Sequence, residues 1–414
     1  MKKIRLFTII ALLIPIFTFG QGFTTDNTNG NLIDANGKNF IMKGMNVPLA
    51  WYQTDVNNSI PALRTNTGSN CLRIVVNAGK FGTTLTPDLA WQTCVQRCID
   101  NNMIPMVELH DVTGNTTSEA LQEMAAFWAS KADFLTRPDI AKYILINIAN
   151  EWGTWQVANT NGVAWRDAHI DAIETIRNAG IKTTLVVDAV GYGQDIRSGE
   201  NTKKYAKDIQ AADAAALESD ANLLFSIHMY CEWRVGANDP ATVGTIKEMG
   251  IPIIVGEFGY QHASDGSCDI DEQNILDVCE ENGVGWLAWS QKGNSTEVAY
   301  LDLCNDWACT DLSDWGNTII NGRNGTKTAE TASVFENDPT GNIAQSDLTK
   351  NLVYPNPTTG TVHIEGLNSD TWTLHDVTGV QKLSGNNSRF DISVFQPGVY
   401  YLKISNKVVP IVKQ

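Results

Sequence analysis

The 414 residues carry a formal charge of -16, only 18% of them are charged, and twelve are tryptophan. An acidic chain without basic runs excludes nucleic acid and anionic polymers such as pectin as partners, and leaves neutral ligands open. The length fits one large domain with a small companion, or two or three ordinary domains.

Lys2, Lys3 and Arg5 precede an apolar run from Leu6 to Phe19. That run is too short to cross a bilayer comfortably, so residues 1–20 read as a secretory signal with cleavage near Gly20–Gln21. Later segments never approach a bilayer-spanning apolar length, and the mature chain is expected to be extracellular or attached to the cell surface. In an exported chain the eight cysteines allow disulfides. Cys304 and Cys309, in one polar loop, are the first candidates for a pair. Cys94 and Cys98 share a helical face and read equally well as buried thiols. Neither pair has the spacing of a zinc site.

NLIDANGKNF reads as a hairpin turning at Asn36-Gly37, a type I′ signature. A β/α rhythm follows. Strand-like runs occupy 40–47, 71–77, 103–111, 143–151, 183–190, 223–230, 252–260 and 285–291. Helical patterns such as DLAWQTCVQRCIDNN, SEALQEMAAFWASKADFL, VAWRDAHIDAIETIRNAG and DEQNILDVCEENG lie between them, with apolar residues at three and four. Eight strands spaced roughly thirty to forty residues apart give the rhythm of a (β/α)8 TIM barrel. A doubly wound open sheet would need a Gly-rich phosphate turn after its first strand, and GMNVPLAW is not one. Residues 329–350 are polar and aperiodic and read as a linker. From 351 to 414, alternating runs between Gly, Pro and Asn turns predict a small all-β domain.

In such a barrel function gathers where the strands end. The ends and first loop residues here offer Asn46, Arg73, His110, Asp111, Asn150, Glu151, His228, Tyr230, Glu257 and Trp289. Glu151 closes YILINIANE and Glu257 sits in PIIVGEFGY. A carboxylate on a buried strand is costly to desolvate unless it is used or paired. Taken singly, each could be a structural acid and each histidine a core residue. Taken together they predict one pocket. Trp91, Trp128 and Trp165 fall on helices and read as packing. Trp51, Trp152, Trp155 and Trp233 follow strands and are candidate stacking platforms for a ligand.

Arg73 in LRIVV, His110 in ELHD, Asn150-Glu151 in IANEW, His228 and Tyr230 in SIHMY, Glu257 in GEFG and Trp289 in LAWS resemble the eight signature residues of glycoside hydrolase family 5, in strand order. The strings MKGMN, VELHDVTG, INIANEW, IVGEFGYQH, GWLAWS and KGNS are similar to bacterial β-mannanases of subfamily 8, over residues 23–328. The resemblance implies Glu257 as nucleophile and Glu151 as acid and then base, with carboxyl groups about 5–5.5 Å apart and retention of configuration. It implies that Arg73 and Tyr230 hold Glu257, that Asn150 meets the sugar 2-hydroxyl, that His228 orients Glu151, that His110 lines the cleft, and that Trp289 lies under the sugar. It implies an endo-β-1,4-mannanase acting as a monomer on polysaccharide, without metal or cofactor. An endo-β-1,4-glucanase and a non-catalytic glycan-binding protein are the alternatives. Two departures from the subfamily, Gln291 where an aromatic is common and the segment CEWRVG after Tyr230, point to altered cleft loops. The acids of SDGSCDIDE read as a solvated loop rather than a calcium site. YPNPTTG, GVYYLKIS and the basic end near Lys413 resemble the C-terminal sorting domain of type IX secretion cargo. A carbohydrate-binding module built on Trp372 is the alternative.

Overall fold

The computed structural model describes residues 22–160, 162–261, 265–336, 353–354, 358–364, 367, 371–376, 380–404 and 407–413. The signal segment, most of the expected linker and part of YPNPTTG lie outside them. The chain divides into two units, Met1–Asn337 and Asp338–Gln414.

The first unit is a closed barrel of eight parallel strands. They are β1 (Lys43–Val47), β2 (Cys71–Val76), β3 (Ile104–Leu109), β4 (Leu145–Asn147), β5 (Leu185–Asp188), β6 (Leu223–Met229), β7 (Ile253–Phe258) and β8 (Gly285–Ala288). β8 closes onto β1 with Trp286 opposite Lys43 and Leu287 opposite Gly44. Every residue of these strands is buried, as expected where helices cover the outside and side chains fill the inside.

Strand side chains alternate between the two faces. Leu72, Ile74, Val107, Ile146, Val187, Phe225, Ile227 and Val255 point outward into the large core shared with the helices. Trp91, Trp128 and Trp165 are fully buried there. The indoles of Trp128 and Trp165 donate to the carbonyls of Ile148 and Asp188 at 2.9 and 3.0 Å, which ties helices to strand ends. Cys71, Met106, Leu145, Val186, Leu224, Ile254 and Leu287 belong to a second apolar cluster at the N-terminal end of the barrel. Phe23, Leu32 and Phe40 from the first segment and Ala332, Val334 and Phe335 from the last pack into it as two plugs. Asp34 joins the two plugs by accepting from Ser333 Oγ at 2.6 Å and the Val334 N–H at 3.1 Å.

Four expectations change. Chain predicted to be linker from 329 stays packed through Phe335, because Val334 and Phe335 bury apolar surface against the barrel floor. The turn at Asn36-Gly37 is not type I′. Gly37 has φ +77° but Asn36 is not among the positive-φ residues, so the turn has a single left-handed residue, as a G1-bulge turn does. The pattern SEALQEMAAFWASKADFL breaks at Lys131 into Ser118–Ser130 and Ala132–Leu135. The run 143–151 is a strand only over Leu145–Asn147, so Glu151 stands on a turn beyond it.

The second unit is all-β. A three-stranded sheet (Val353–Tyr354, Thr361–Ile364, Arg389–Asp391) and a four-stranded antiparallel sheet (Gln381–Gly385, Trp372–Asp376, Gly398–Ile404, Lys407–Lys413) enclose a core of Val362, Ile364, Trp372, Leu374, Phe390, Leu402, Ile404 and Ile411.

Candidate active site

Two residues toward the C-terminal end of the same strands, the barrel interior changes from apolar to charged. Cys71 is followed by Arg73, Met106 by Glu108, Leu145 by Asn147, Val186 by Asp188, and all four polar residues are buried. Arg73 is the hub. Its guanidinium donates to Asn147 Oδ1 at 3.0 and 2.8 Å, Asn46 Oδ1 at 2.9 Å, Asn150 Oδ1 at 2.8 Å and Glu257 Oε1 at 2.7 Å. It also lies 3.4 Å from Asp188 and 3.6 Å from Glu108. Burial opposes the Arg73 charge, but Glu108, Glu257, Asp188 and Glu151 outweigh it and raise its pKa. A planar fork with five donors suits this position, where an ammonium could not meet so many acceptors.

Glu257 reaches the interior through a break in alternation. Ile227 pairs with Val255, but the next residue, His228, pairs with Glu257, so the register shifts at Gly256. A Cβ there would stand 2.1 Å from Ser226 Oγ, so glycine lets the two strands approach without displacing that hydroxyl. Glu257 Oε2 accepts from the Tyr230 hydroxyl at 2.9 Å. Burial, then the charges of Glu257 and Glu151, push the Tyr230 pKa well above its ordinary value, so Tyr230 remains a donor.

Glu151 has φ +50°, a left-handed conformation uncommon outside glycine and a frequent mark of functional sites. Its N–H donates to Asp188 Oδ2 at 3.1 Å, and its carbonyl accepts from the Gly114 N–H at 2.9 Å. The side chain turns back over the barrel, where Oε1 meets His228 Nδ1 at 2.7 Å. His228 Nδ1 is also 3.7 Å from Glu257 Oε2, and Nε2 is 3.5 Å from Asp188. Burial disfavours the imidazolium, but Glu257, Asp188 and Glu151 together push the His228 pKa up to about 10. One donor atom from each of Glu151, His228 and Glu257 lies within 4.8 Å of the others.

His110 Nδ1 is 3.0 Å from Glu108 Oε1. Burial opposes its charge and Glu108 favours it, with a raised pKa as the outcome. Trp289 stacks beside His110 at 6.0 Å with its indole donating to Asn294, and Trp51 meets the imidazole edge-on at 5.4 Å. Asn150 Nδ2 donates to Thr113 at 2.8 Å, so one of its two amide protons is left for a ligand.

All eight residues of the family pattern therefore gather at the C-terminal mouth of the barrel, with Asn46 on Arg73, whereas Asp111 is spent on the Ala78 and Lys80 N–H groups at 2.7 and 2.9 Å. The outer positions sort differently. Trp51 is 52% exposed and Trp155 partly so, whereas Trp152 and Trp233 are 1% and 2% exposed and donate to the carbonyls of Thr117 and Gln194. Those two are core residues and not sugar platforms. Gln291 is also buried, with its amide donating to Ser59 Oγ at 2.9 Å and the Trp307 carbonyl at 2.7 Å. It ties the loop after β8 to Ser59 and Trp307. Cys304–Cys309 is a disulfide, and Cys231–Cys268 is a second, joining the loops after β6 and β7. Cys94 and Cys98 are buried thiols. In the C-terminal unit Trp372 is buried with its indole donating to the Asn387 carbonyl at 2.8 Å, which withdraws it as a sugar platform.

Glu108, Asn147 and Asp188 were missed in the sequence. Their signal was an acid or amide inside the apolar runs MIPMVELHD, YILINIANE and TTLVVDAV, where burial demands a partner. Glu151, His228 and Glu257 are close enough to share a cation. The donor set does not suit one, because Arg73 and Tyr230 occupy the Glu257 oxygens and a protonated imidazole has no lone pair to give.

A closed parallel barrel with two carboxylates facing each other at its C-terminal mouth defines the class of barrel glycoside hydrolases. Residues 33–295 match the model of Cellulase (glycosyl hydrolase family 5), and residues 352–414 match that of a secretion system C-terminal sorting domain. A mannan endo-1,4-beta-mannosidase from Salipaludibacillus agaradhaerens is 39% identical over 325 residues, 77% of this chain and 98% of the relative. Another from Streptomyces lividans is 34% identical over 312 residues, 74% and 76% of the two chains. A solved structure of a beta-mannanase from Thermomonospora fusca superposes with a TM-score of 0.67 at 30% identity, over 76% of this chain and 99% of that one. The chain belongs to glycosyl hydrolase family 5, and it carries a C-terminal domain for export by the type IX route.

Proposed function

We propose that this protein is an exported endo-β-1,4-mannanase that cleaves internal bonds of mannan, galactomannan and glucomannan with retention of configuration. The observation that carries the chemistry is the facing pair, with oxygens of Glu151 and Glu257 within 4.8 Å of each other. Inverting enzymes hold their acids about 6.5–9.5 Å apart to admit a water, so the short separation favours a direct attack by one of them.

Glu257 is the nucleophile. Arg73 and Tyr230 donate to its two oxygens, which favours the anion and aims it at the anomeric carbon. Glu151 protonates the departing oxygen, then deprotonates the water that releases the sugar from Glu257. Each step inverts the anomeric centre, and two inversions retain it. Asn150 serves the 2-hydroxyl, and Trp289 with His110 forms the wall and floor of the reacting subsite.

The polymer is assigned from the mannanases this chain resembles. Mannose differs from glucose in the orientation of its 2-hydroxyl, and sites that hydrogen-bond a hydroxyl discriminate strongly against its misplacement. Side-by-side hydrolysis of β-1,4-mannan, glucomannan and carboxymethylcellulose tests this. We expect kcat/KM on mannan at least about a hundredfold above carboxymethylcellulose, roughly 2.7 kcal/mol in transition-state binding. Comparable rates would replace the mannanase by an endoglucanase and leave the mechanism standing. An inverted first product, seen by NMR, would end the double displacement. The enzyme acts as a monomer, which sedimentation checks, and the sorting domain hands it to the type IX machinery for release or surface display.

A further inference from the structure

Three carboxylates surround the His228 imidazole: Glu151 from the turn after β4 at 2.7 Å, Asp188 from β5 at 3.5 Å and Glu257 from β7 at 3.7 Å. Arg73 from β2 is the nearby cation, and Glu108 from β3 lies beyond it. The reaction proposed above, on which this inference rests, does not treat the three acids alike. Glu151 is neutral while it holds the proton for the leaving oxygen. Glu257 is neutral while it is esterified to the sugar. Asp188 does no chemistry and keeps its charge in every state. Burial alone would favour its neutral form, but His228, Arg73 and the Glu151 N–H hold it ionised, with its pKa well below the usual carboxylate range.

We propose that Asp188 is a positioning residue that keeps His228 protonated through both half-reactions and fixes the backbone from which Glu151 works. The two effects share one oxygen. Asp188 Oδ2 accepts from the Glu151 N–H at 3.1 Å, holding that residue in its left-handed conformation, and the same atom faces His228 Nε2. Oδ1 is committed to Asn147 Nδ2 at 3.0 Å, so the carboxylate cannot rotate away. The backbone carbonyl of Asp188 is held by Trp165, which fixes the strand end beneath it. With Nδ1–H directed at Glu151 Oε1, a permanently charged His228 stabilises the Glu151 anion that appears when the leaving oxygen takes its proton. When Glu257 is esterified, Glu151 has given up its proton and is the anion at Nδ1, so without Asp188 the imidazolium would face that one carboxylate alone and would hold its second proton less tightly in both half-reactions.

The test uses the wild-type enzyme and Asp188→Asn, both labelled with 15N-histidine. Each is examined free and after trapping with a 2-deoxy-2-fluoro-mannosyl fluoride, with mass spectrometry confirming the adduct on Glu257. In the trapped wild type His228 should give the signals of a doubly protonated ring at pH 8. In trapped Asp188→Asn the ring should lose its second proton at a pH at least about one unit lower than in the trapped wild type. Kinetically, Asp188→Asn should lose roughly 10- to 100-fold in kcat, with KM changed less than about threefold and the alkaline limb of the kcat profile moved at least about one pH unit lower. A neutral His228 in the trapped wild type overturns the proposal even if the variant fails to fold. A variant with an unmoved alkaline limb overturns it as well, because a purely structural role would cost melting temperature without moving the titration. Failure to form any adduct on Glu257 would instead remove the retaining mechanism, and this inference with it.

Discussion

The two ends of the barrel interior are built from the same strands, two residues apart, and they obey opposite rules. At the N-terminal end Cys71, Leu145, Val186, Leu224, Ile254 and Leu287 meet under two apolar plugs. At the C-terminal end Arg73, Asn147, Asp188 and His228 are just as buried, yet nearly every polar atom is assigned to a partner. Exceptions mark the upper layer. Glu108 Oε2, Ser226 Oγ and His228 Nε2 lack a hydrogen-bond partner among the described residues. The lower layer stabilises by excluding water. The upper layer costs stability and holds charge in place for chemistry, as sites built for preorganised electrostatics do.

The largest effect belongs to the upper layer. Glu257→Ala should lower kcat by at least about 10⁴-fold, and azide should restore turnover with an inverted product. Glu151→Ala should spare the first step on substrates with good leaving groups, which need no proton. Swapped rescue behaviour in burst kinetics would exchange the two roles.

Arg73→Met comes next, because it strands several buried acids at once. Denaturant unfolding should register a loss of about 3–5 kcal/mol, along with lost activity. A variant of unchanged stability would mean that the acids of the upper layer hold one another without the hub.

Leu145→Ala probes the lower layer on a strand that also leads to Glu151. It should cost about 2–4 kcal/mol while kcat stays within about twofold. A large drop in kcat at unchanged KM would break the division between the two ends.

Truncation sharpens where the barrel stops. Ending the chain at Asn337 should leave its melting temperature and kcat near those of the full chain. Ending it at Glu330 removes Val334 and Phe335 from the floor and should cost about 2–3 kcal/mol. Equal stability of the two would return residues 331–336 to the linker.

The smallest effect is a pH dependence on the helical side of the barrel wall. His169 is buried with its Nδ1 on the Trp165 carbonyl at 2.9 Å, and burial lowers its pKa from 6.5 to about 4. Above 6.5 the ring is neutral in both folded and unfolded chains. As pH falls from 6.5 toward 4 the unfolded chain takes up a proton that the folded ring refuses, so stability is lost on acidification. The loss should be about 1–3 kcal/mol by urea unfolding, and His169→Gln should remove that part of the slope. His228 has the opposite sign: its contribution is full below 6.5 and is lost as pH rises through about 10. An identical pH slope in His169→Gln would show that His169 does not report on this burial.

The amino-acid sequence by itself determined the strand rhythm, the class of fold, the all-β tail and the ten candidate residues at the strand ends. Each of those signals is local, being a period, a turn residue or an acid inside an apolar run. Tertiary structure decided what depends on contacts between distant segments. Alternation along β7 directs Val255 outward, and simple counting would send Glu257 the same way; the shift at Gly256 against Ser226 turns it inward. The left-handed turn at Glu151 depends on Asp188, thirty-seven residues later. Gln291, Trp152 and Trp233 looked like cleft residues by position, but their partners Ser59, Thr117 and Gln194 draw them into the core. Periodicity reports which residues are buried, whereas the partner that makes burial tolerable for a polar group is set only when separate strands meet.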